Sequence, residues 1–289
     1  MEYHEPVLLN EVLENLKADE TKTIVDATLG DGGHTIEILK TGANVIGIDY
    51  NDDSIQRASS RINQLNLSSN FKAIKGNFKD LDNLYSEKVA GILLDLGYSS
   101  FHLEGYQKGV SFQKDEELDM RIDTSRGVKA KDLLKVLDVN QLERIFSVFG
   151  EERYSKKIAQ EIVKKREVKE IHSTSDLVQI IRNVVPSQQV SRINPATRVF
   201  QALRIVVNSE LENLKLALPK AENLTLPGGR ILIITFHSLE EKLVREFSRD
   251  FQPSIKLIGG APFLPTDLEV SKNPRSRSAK LYVFEKIKK

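Results

Sequence analysis

Three aspartates and a cluster of glycines stand where a chain could handle a small charged ligand. Asp26 opens the run Asp26-Ala-Thr-Leu-Gly30-Asp-Gly32-Gly33-His34, Asp49 closes Gly47-Ile-Asp49, and Asp95 closes Gly91-Ile-Leu-Leu-Asp95. Glycines let backbone approach a ligand closely, and a helix that begins beyond them turns its unpaired N–H groups towards it. An acid roughly twenty residues further on, at the end of the next strand, accepts both hydroxyls of a ribose. Together these residue types describe a nucleoside pocket. The plain alternative is a tight strand-to-helix turn with no ligand.

To bring the aspartates together the chain must form parallel strands ending side by side. Residues 23–28, 44–49, 71–75 and 91–96 read as strands, with helices beginning at 35 and spanning 54–65. Alternating β and α elements imply an α/β sheet. Further strands are expected at 230–236, after Pro227-Gly228-Gly229, and at 280–286. More than 100 residues of mostly helical pattern separate the fourth and fifth strands, too many for one crossover. This gives a core of residues 1–104 and 195–289 carrying an inserted helical domain, 105–194.

Inside the insert, Ser173-Thr-Ser-Asp176 fits a capping box and Pro186 a helix stop. Asn194-Pro195 opens a further helix, expected to run to about Leu218, with Val199, Leu203, Val206, Leu211, Leu214 and Leu218 buried. Thr197, Gln201, Arg204 and Asn208 form a second stripe, read either as a cleft lining or as an ordinary solvated face.

Two cofactors suit the strand, loop and acid: a dinucleotide or S-adenosylmethionine (SAM). The compact glycine run differs from G-x-G-x-x-G, and Asp31 is a poor neighbour for a phosphate, so the spacing favours SAM, whose sulfonium welcomes carboxylates. Asp26 and residues 30–34 would face its amino-acid end, Asp49 the ribose, Tyr50 the adenine, with Asn77 and Phe78 covering the base. Asp95 to Tyr98 would lie where the methyl group meets its acceptor, unless Asp95 merely caps a turn.

Composition narrows the chemistry. The 289 residues, 40% hydrophobic, suffice for a substantial core, and the absence of cysteine excludes disulfides, thiolate metal sites, iron–sulfur clusters and cysteine nucleophiles. Methylation at cytosine C5 or by radicals would need cysteine, so transfer to N or O is expected. No apolar run suits a membrane span and the N-terminus lacks signal-peptide character, pointing to a cytoplasmic or organelle-matrix location. Residues 126–204 hold 16 basic against 9 acidic side chains and residues 272–289 hold 7 against 1, leaving the remainder of this +1 chain at −12. Such basic segments are either solvated faces or a footprint for a polyanion such as RNA.

His237-Ser238 follows the fifth strand, but its neighbouring side chains are poorly placed for a nucleophile–base contact, so orienting an acceptor base is the better role. The spacing of His4, His34, His102 and His237 is unlike a zinc site, and no metal is expected. Arg275 and Arg277 suit phosphate forks.

The ordered motifs His4-Glu-Pro-Val-Leu-Leu, Asp26 to His34, Gly91-Ile-Leu-Leu-Asp-Leu-Gly97, Leu118-Asp-Met-Arg121, Gly150-Glu-Glu-Arg153, Pro195-Ala-Thr-Arg-Val-Phe-Gln-Ala-Leu-Arg204, Phe236-His-Ser-Leu-Glu240 and Asn273-Pro-Arg-Ser-Arg-Ser-Ala279 resemble the RsmH (MraW) family over essentially the whole chain. The resemblance implies a class I SAM-dependent methyltransferase, Rossmann-like with a mostly parallel seven-stranded sheet and a helical insertion. It implies methylation of the exocyclic N(4) amine of a cytidine in the decoding region of 16S rRNA, with the small ribosomal subunit (30S) as partner; the sequence leaves monomer and homodimer both open. Matching positions give Gly32, Gly33, His34, Asp49, Phe78, Asp95 and His102 as cofactor residues. Asp95, His237 and Ser238 are the expected catalytic groups, and Arg198, Gln201, Arg204, Arg275 and Arg277 the expected RNA contacts. The chain departs from the family pattern at Gly97-Tyr-Ser-Ser-Phe-His102, Lys108-Gly-Val-Ser-Phe112 and Asp115-Glu-Glu117. Other readings are a methyltransferase with a drifted target and a ribosome-assembly binding protein with a vestigial pocket.

Overall fold

The computed structural model describes residues 5–96, 109–124, 127–186 and 195–287; the expectations for His4, Tyr98, His102 and Asn194 lie outside them. Two compact units emerge, one of residues 1–99 with 211–289 and one of residues 100–210.

The first unit is built on seven strands: β1 (Thr23–Asp26), β2 (Asn44–Asp49), β3 (Phe71–Lys75), β4 (Val89–Asp95), β5 (Thr225–Thr235), β6 (Ile255–Leu257) and β7 (Lys280–Lys286). Their order is β3-β2-β1-β4-β5-β7-β6. The pairs among β1 to β5 are parallel, and β7 runs antiparallel to both β5 and β6. This is the class I methyltransferase sheet that the resemblance implies. The chain reverses direction in sheet order between β1 and β4, so the carboxyl ends of β1, β2 and β4 border the crevice where ligands bind in such folds.

Strands buried on both faces read as apolar runs, and successive side chains enter opposite layers. Ile92, Leu94, Ile231 and Ile233 join one core cluster, while Leu93, Leu232 and Ile234 join the other. The same unit carries helices α1 (Leu9–Leu16), α2 (Gly33–Leu39), α3 (Asp52–Gln64) and the single turn α4 (Leu81–Leu84).

The insert carries α5 (Ala130–Val136), α6 (Val139–Val148), α7 (Ser155–Arg166), α8 (Thr174–Val184) and α9 (Pro195–Asn208). The expected capping box forms: Ser173 Oγ accepts Asp176 N–H at 3.4 Å and Asp176 accepts Ser173 N–H at 3.1 Å. Asp138 and Gln141 cap α6 in the same reciprocal way. The single helix expected from 195 to 218 is broken. Ser209 takes a left-handed φ of 51°, and the chain restarts as α10 (Glu210–Leu224). A buried stripe with helical spacing continues across such a break, so periodicity does not reveal it. The second boundary therefore falls at 210, not 194, because α9 packs on α5, α6 and α8. The first unit ends with α11 (Ser238–Asp250) and α12 (Asp267–Lys272). β6, only three residues long, shows no alternation that would have announced it.

Candidate active site

Asp26 ends β1 almost fully buried, 2% exposed. Its carboxylate accepts the Thr35 hydroxyl at 2.7 Å and Thr28 N–H at 3.2 Å. Burial pushes its pKa up, opposed chiefly by the Thr35 hydrogen bond. Asp49 ends β2 and accepts Gly30 N–H at 3.0 Å and Asn51 N–H at 2.9 Å. Burial raises Asp49 to about 6, against the pull of those N–H groups. A carboxylate has about four acceptor positions, and with a third backbone hydrogen bond from Tyr50 about one is left for a ribose hydroxyl.

Asp95 ends β4, its N–H donating to Thr28 Oγ1 at 2.7 Å. Its carboxylate lies 3.7 Å from His34 Nδ1, while His34 Nε2 lies 2.9 Å from the Val7 carbonyl. A carbonyl only accepts, so Nε2 carries the hydrogen and Nδ1 turns its lone pair, or a second proton, towards Asp95.

The glycine loop is sterically determined. Gly32 has φ 76°, and a Cβ there would lie 3.1 Å from Ala58 Cβ. Asp31, expected to help a cationic ligand, instead pairs with Arg57 at 2.6 Å, and its carbonyl accepts from Arg61 at 2.6 Å. α3 thereby anchors the loop and withdraws that carboxylate. Among the described residues no lysine or arginine pairs with Asp26 or Asp49. Buried anions without cations suit a ligand that brings positive charge and hydroxyls, which SAM does.

Other expected residues are placed as follows. Phe78 is half-buried beside the core, in reach of the β3 end, but Asn77 caps Lys79 N–H at 3.0 Å with its amide oxygen. His237 is the cap of α11: its Nδ1 accepts Glu240 N–H at 3.3 Å, and Glu240 accepts Phe236 N–H at 2.7 Å. Ser238 is the exposed first residue of that helix. Arg275 and Arg277 are exposed in a single 3-10 segment, Pro274–Ser278.

In the insert, the expected polar stripe of α9 faces its own unit. Arg204 grips Glu210 through two bonds of 2.9 and 3.0 Å, and Gln201 donates to the Phe149 carbonyl at 3.4 Å. Asn208 accepts Ile122 N–H at 2.9 Å and donates to the Met120 carbonyl at 2.9 Å, straddling a methionine held at φ 61°. Arg198 lies 3.9 Å from buried Glu152.

Sequence reasoning missed how the ends of the chain support His34. Glu269 accepts Leu8 N–H at 2.8 Å and Asn273 donates to the Glu5 carbonyl at 3.2 Å, fixing the segment whose Val7 carbonyl holds the imidazole. The motifs at residues 4–9 and 273–279 were legible, but their contact across some 260 positions was not.

The family model for the MraW methylase family matches residues 1–287. The chain belongs to that family. MraW relatives named Ribosomal RNA small subunit methyltransferase H include one from Carboxydothermus hydrogenoformans, 42% identical over 98% of each chain. Another, from Thermotoga neapolitana, is 41% identical over 99% of this chain and 96% of its own. A solved structure from Clostridium thermocellum, described provisionally as an rRNA-methylase, matches 98% of this chain and all of its own with a TM-score of 0.50 at 17% identity, a likeness of fold.

Proposed function

We propose that this chain transfers the methyl group of SAM to the exocyclic N(4) amine of one cytidine in the decoding region of 16S-type rRNA, acting on the small ribosomal subunit in the cytoplasm. The observation that carries the reading is the convergence of Asp26, Asp49 and Asp95 at three neighbouring strand ends, Asp26 buried and Asp49 half-buried, neither paired with a lysine or arginine among the described residues. The relatives' names supply the RNA.

When bound, SAM supplies an electrophilic methyl group. Asp49 would hold the ribose through its remaining acceptor capacity, and Asp26 with the loop 30–34 would face the amino-acid end. Gly32, Gly33 and Phe78 shape the pocket around them. The cytosine amine is a weak nucleophile because its lone pair is delocalised into the ring, so positioning dominates. Asp95 accepts a hydrogen bond from the amine, turning the lone pair towards the methyl carbon, and receives the proton that leaves as the N–C bond forms. His34, its tautomer fixed by Val7, places Nδ1 3.7 Å from the Asp95 carboxylate. His237 contributes by holding the β5–α11 turn through its cap, with exposed Ser238 at the edge. The target base leaves its stack to reach the pocket.

Purified protein incubated with radiolabelled SAM and 30S particles lacking their own cytidine methylation tests this. Label in N(4)-methylcytidine at one position is expected. Label in another nucleoside, or in protein, would establish a different target; SAM binding without any transfer to 30S particles would overturn the reading.

A further inference from the structure

The outer face of α7 is charged in a way that the helix itself does not require. Ser155, Ile158, Ala159 and Ile162 point inward, whereas Lys156, Lys157, Gln160 and Lys164 are exposed. At 3.6 residues per turn these four positions fall within about 100° of arc, and Lys156 to Lys164 spans about 12 Å. Arg153, just before the helix, is exposed as well. Among the described residues none of these four cations forms an ion pair; the nearest helical acid, Glu161, is drawn to Lys165 at 3.9 Å, beside the face. Several lysines elsewhere meet acids: Lys75 with Asp52, Lys220 with Asp82 at 2.7 Å, and Lys280 with Glu241 at 2.7 Å.

The position of the charges matters more than their number. Cations in a first helical turn oppose the helix dipole, and acids there favour it. α3 opens with Asp52 and Asp53, α8 with Asp176, α11 with Glu240 and Glu241, and α12 with Asp267 and Glu269. α7 opens with Lys156 and Lys157 and no acid. Lys164, in the last turn, is favourable for the helix; the first-turn pair is not. A ligand carrying a row of negative charges would offset that cost.

We infer that this face of α7 is a docking surface for the phosphodiester backbone of the RNA substrate, with Lys156, Lys157 and Lys164 as phosphate contacts. The inference rests on the rRNA reading above and deepens it by naming a contact surface. It differs from the α9 stripe, where Gln201 and Arg204 are engaged inside the insert. Point-charge lysines with a glutamine between them suit backbone contact without base selection.

The test compares the full-length wild type with K156Q/K157Q/K164Q and, as a control, K165Q, for binding to 30S particles and to protein-free 16S-type rRNA across a salt series. The triple variant is expected to lose about 10- to 100-fold in affinity for both, with the slope of log K against log salt reduced by about 2 to 3. SAM affinity and circular dichroism should match wild type, and K165Q should bind normally. Unchanged affinity and slope in the triple variant would overturn the inference. Weaker binding to 30S alone, with free rRNA unaffected, would also overturn it and assign the face to a ribosomal protein. If wild type fails to methylate 30S RNA while the triple variant still loses affinity for free rRNA, the target reading falls and the RNA face stands.

Discussion

At the strand ends of the core, Asp26 is buried and Asp49 half-buried with no lysine or arginine paired to either among the described residues, whereas in the insert Glu117 and Asp119 are clasped by Lys129, Lys131 and Arg121. Burial pushes the first pair up, Asp49 to about 6, while the lysine hydrogen bonds hold Glu117 down at about 2. Carboxylates of one chemical type thus do opposite work. Matched acids in the insert tie loops together and leave its unmatched charge, on α7, positive and outward. The unmatched acids of the core would suit a cationic ligand, as proposed above.

The largest expected effect tests the division of labour within the core. Asp95→Ala should lower single-turnover methyl transfer by about 10²- to 10⁴-fold while SAM affinity by calorimetry stays within a few-fold of wild type. Loss of SAM binding in that variant would make Asp95 a cofactor residue instead. Asp49→Ala should show the reverse, with SAM affinity down by about 10- to 100-fold and the loss confined to binding.

pH sharpens the contrast between acids. Asp26 and Asp49 are raised in the folded state, so the native protein binds their protons more readily than the unfolded chain. Their contribution to stability is greatest below the unfolded value and is lost as pH rises through the folded one, a window of roughly pH 4 to 6 for Asp49. Glu117 and, on α11, Glu241 are lowered to about 2 by lysine partners, so theirs is present above about pH 4 and lost on acidification. Thermal unfolding of ligand-free Asp49→Asn should therefore respond less than wild type to a change from pH 7 to pH 5. An identical response would remove the picture of an unneutralised pocket acid.

Smaller effects are expected where hydrogen bonds hold loops. Asn208→Ala removes the ties to the Met120 carbonyl and to Ile122 N–H that flank the strained Met120 and should destabilise the protein by about 1–3 kcal/mol in urea titration, leaving SAM affinity intact. Smallest is the α11 cap. His237→Ala should cost about 1 kcal/mol and His237→Asn much less, because asparagine also caps helices. If the asparagine variant restores stability but not methyl transfer, His237 acts on the substrate as well as on the helix.

Much of the core was legible. The apolar runs at β1, β2 and β4, the acids at their ends and the glycine loop follow from local rules: two-sided burial gives continuous hydrophobic strands, and φ 76° at Gly32 needs glycine. Less legible was the role of polar residues whose partners lie far away. Arg204 and Gln201 look like a binding stripe in one dimension, and only packing shows them bonded to Glu210 and Phe149. Asp31 looks like a ligand's neighbour until Arg57 arrives from α3.

The sequence by itself determined the alternation of strand and helix, the order of the motifs, and the residue types at each strand end, because those depend on periodicity and on chemistry carried by single residues. Only the tertiary structure decided which charges remain for ligands. That depends on distances between elements: Glu269 and Asn273 reach residues 5–8, Val7 fixes His34, and His34 faces Asp95, while among the described residues Lys156, Lys157 and Lys164 of α7 meet no acid. A charge is available for function only when folding brings it no partner, and partnership is a property of three-dimensional proximity.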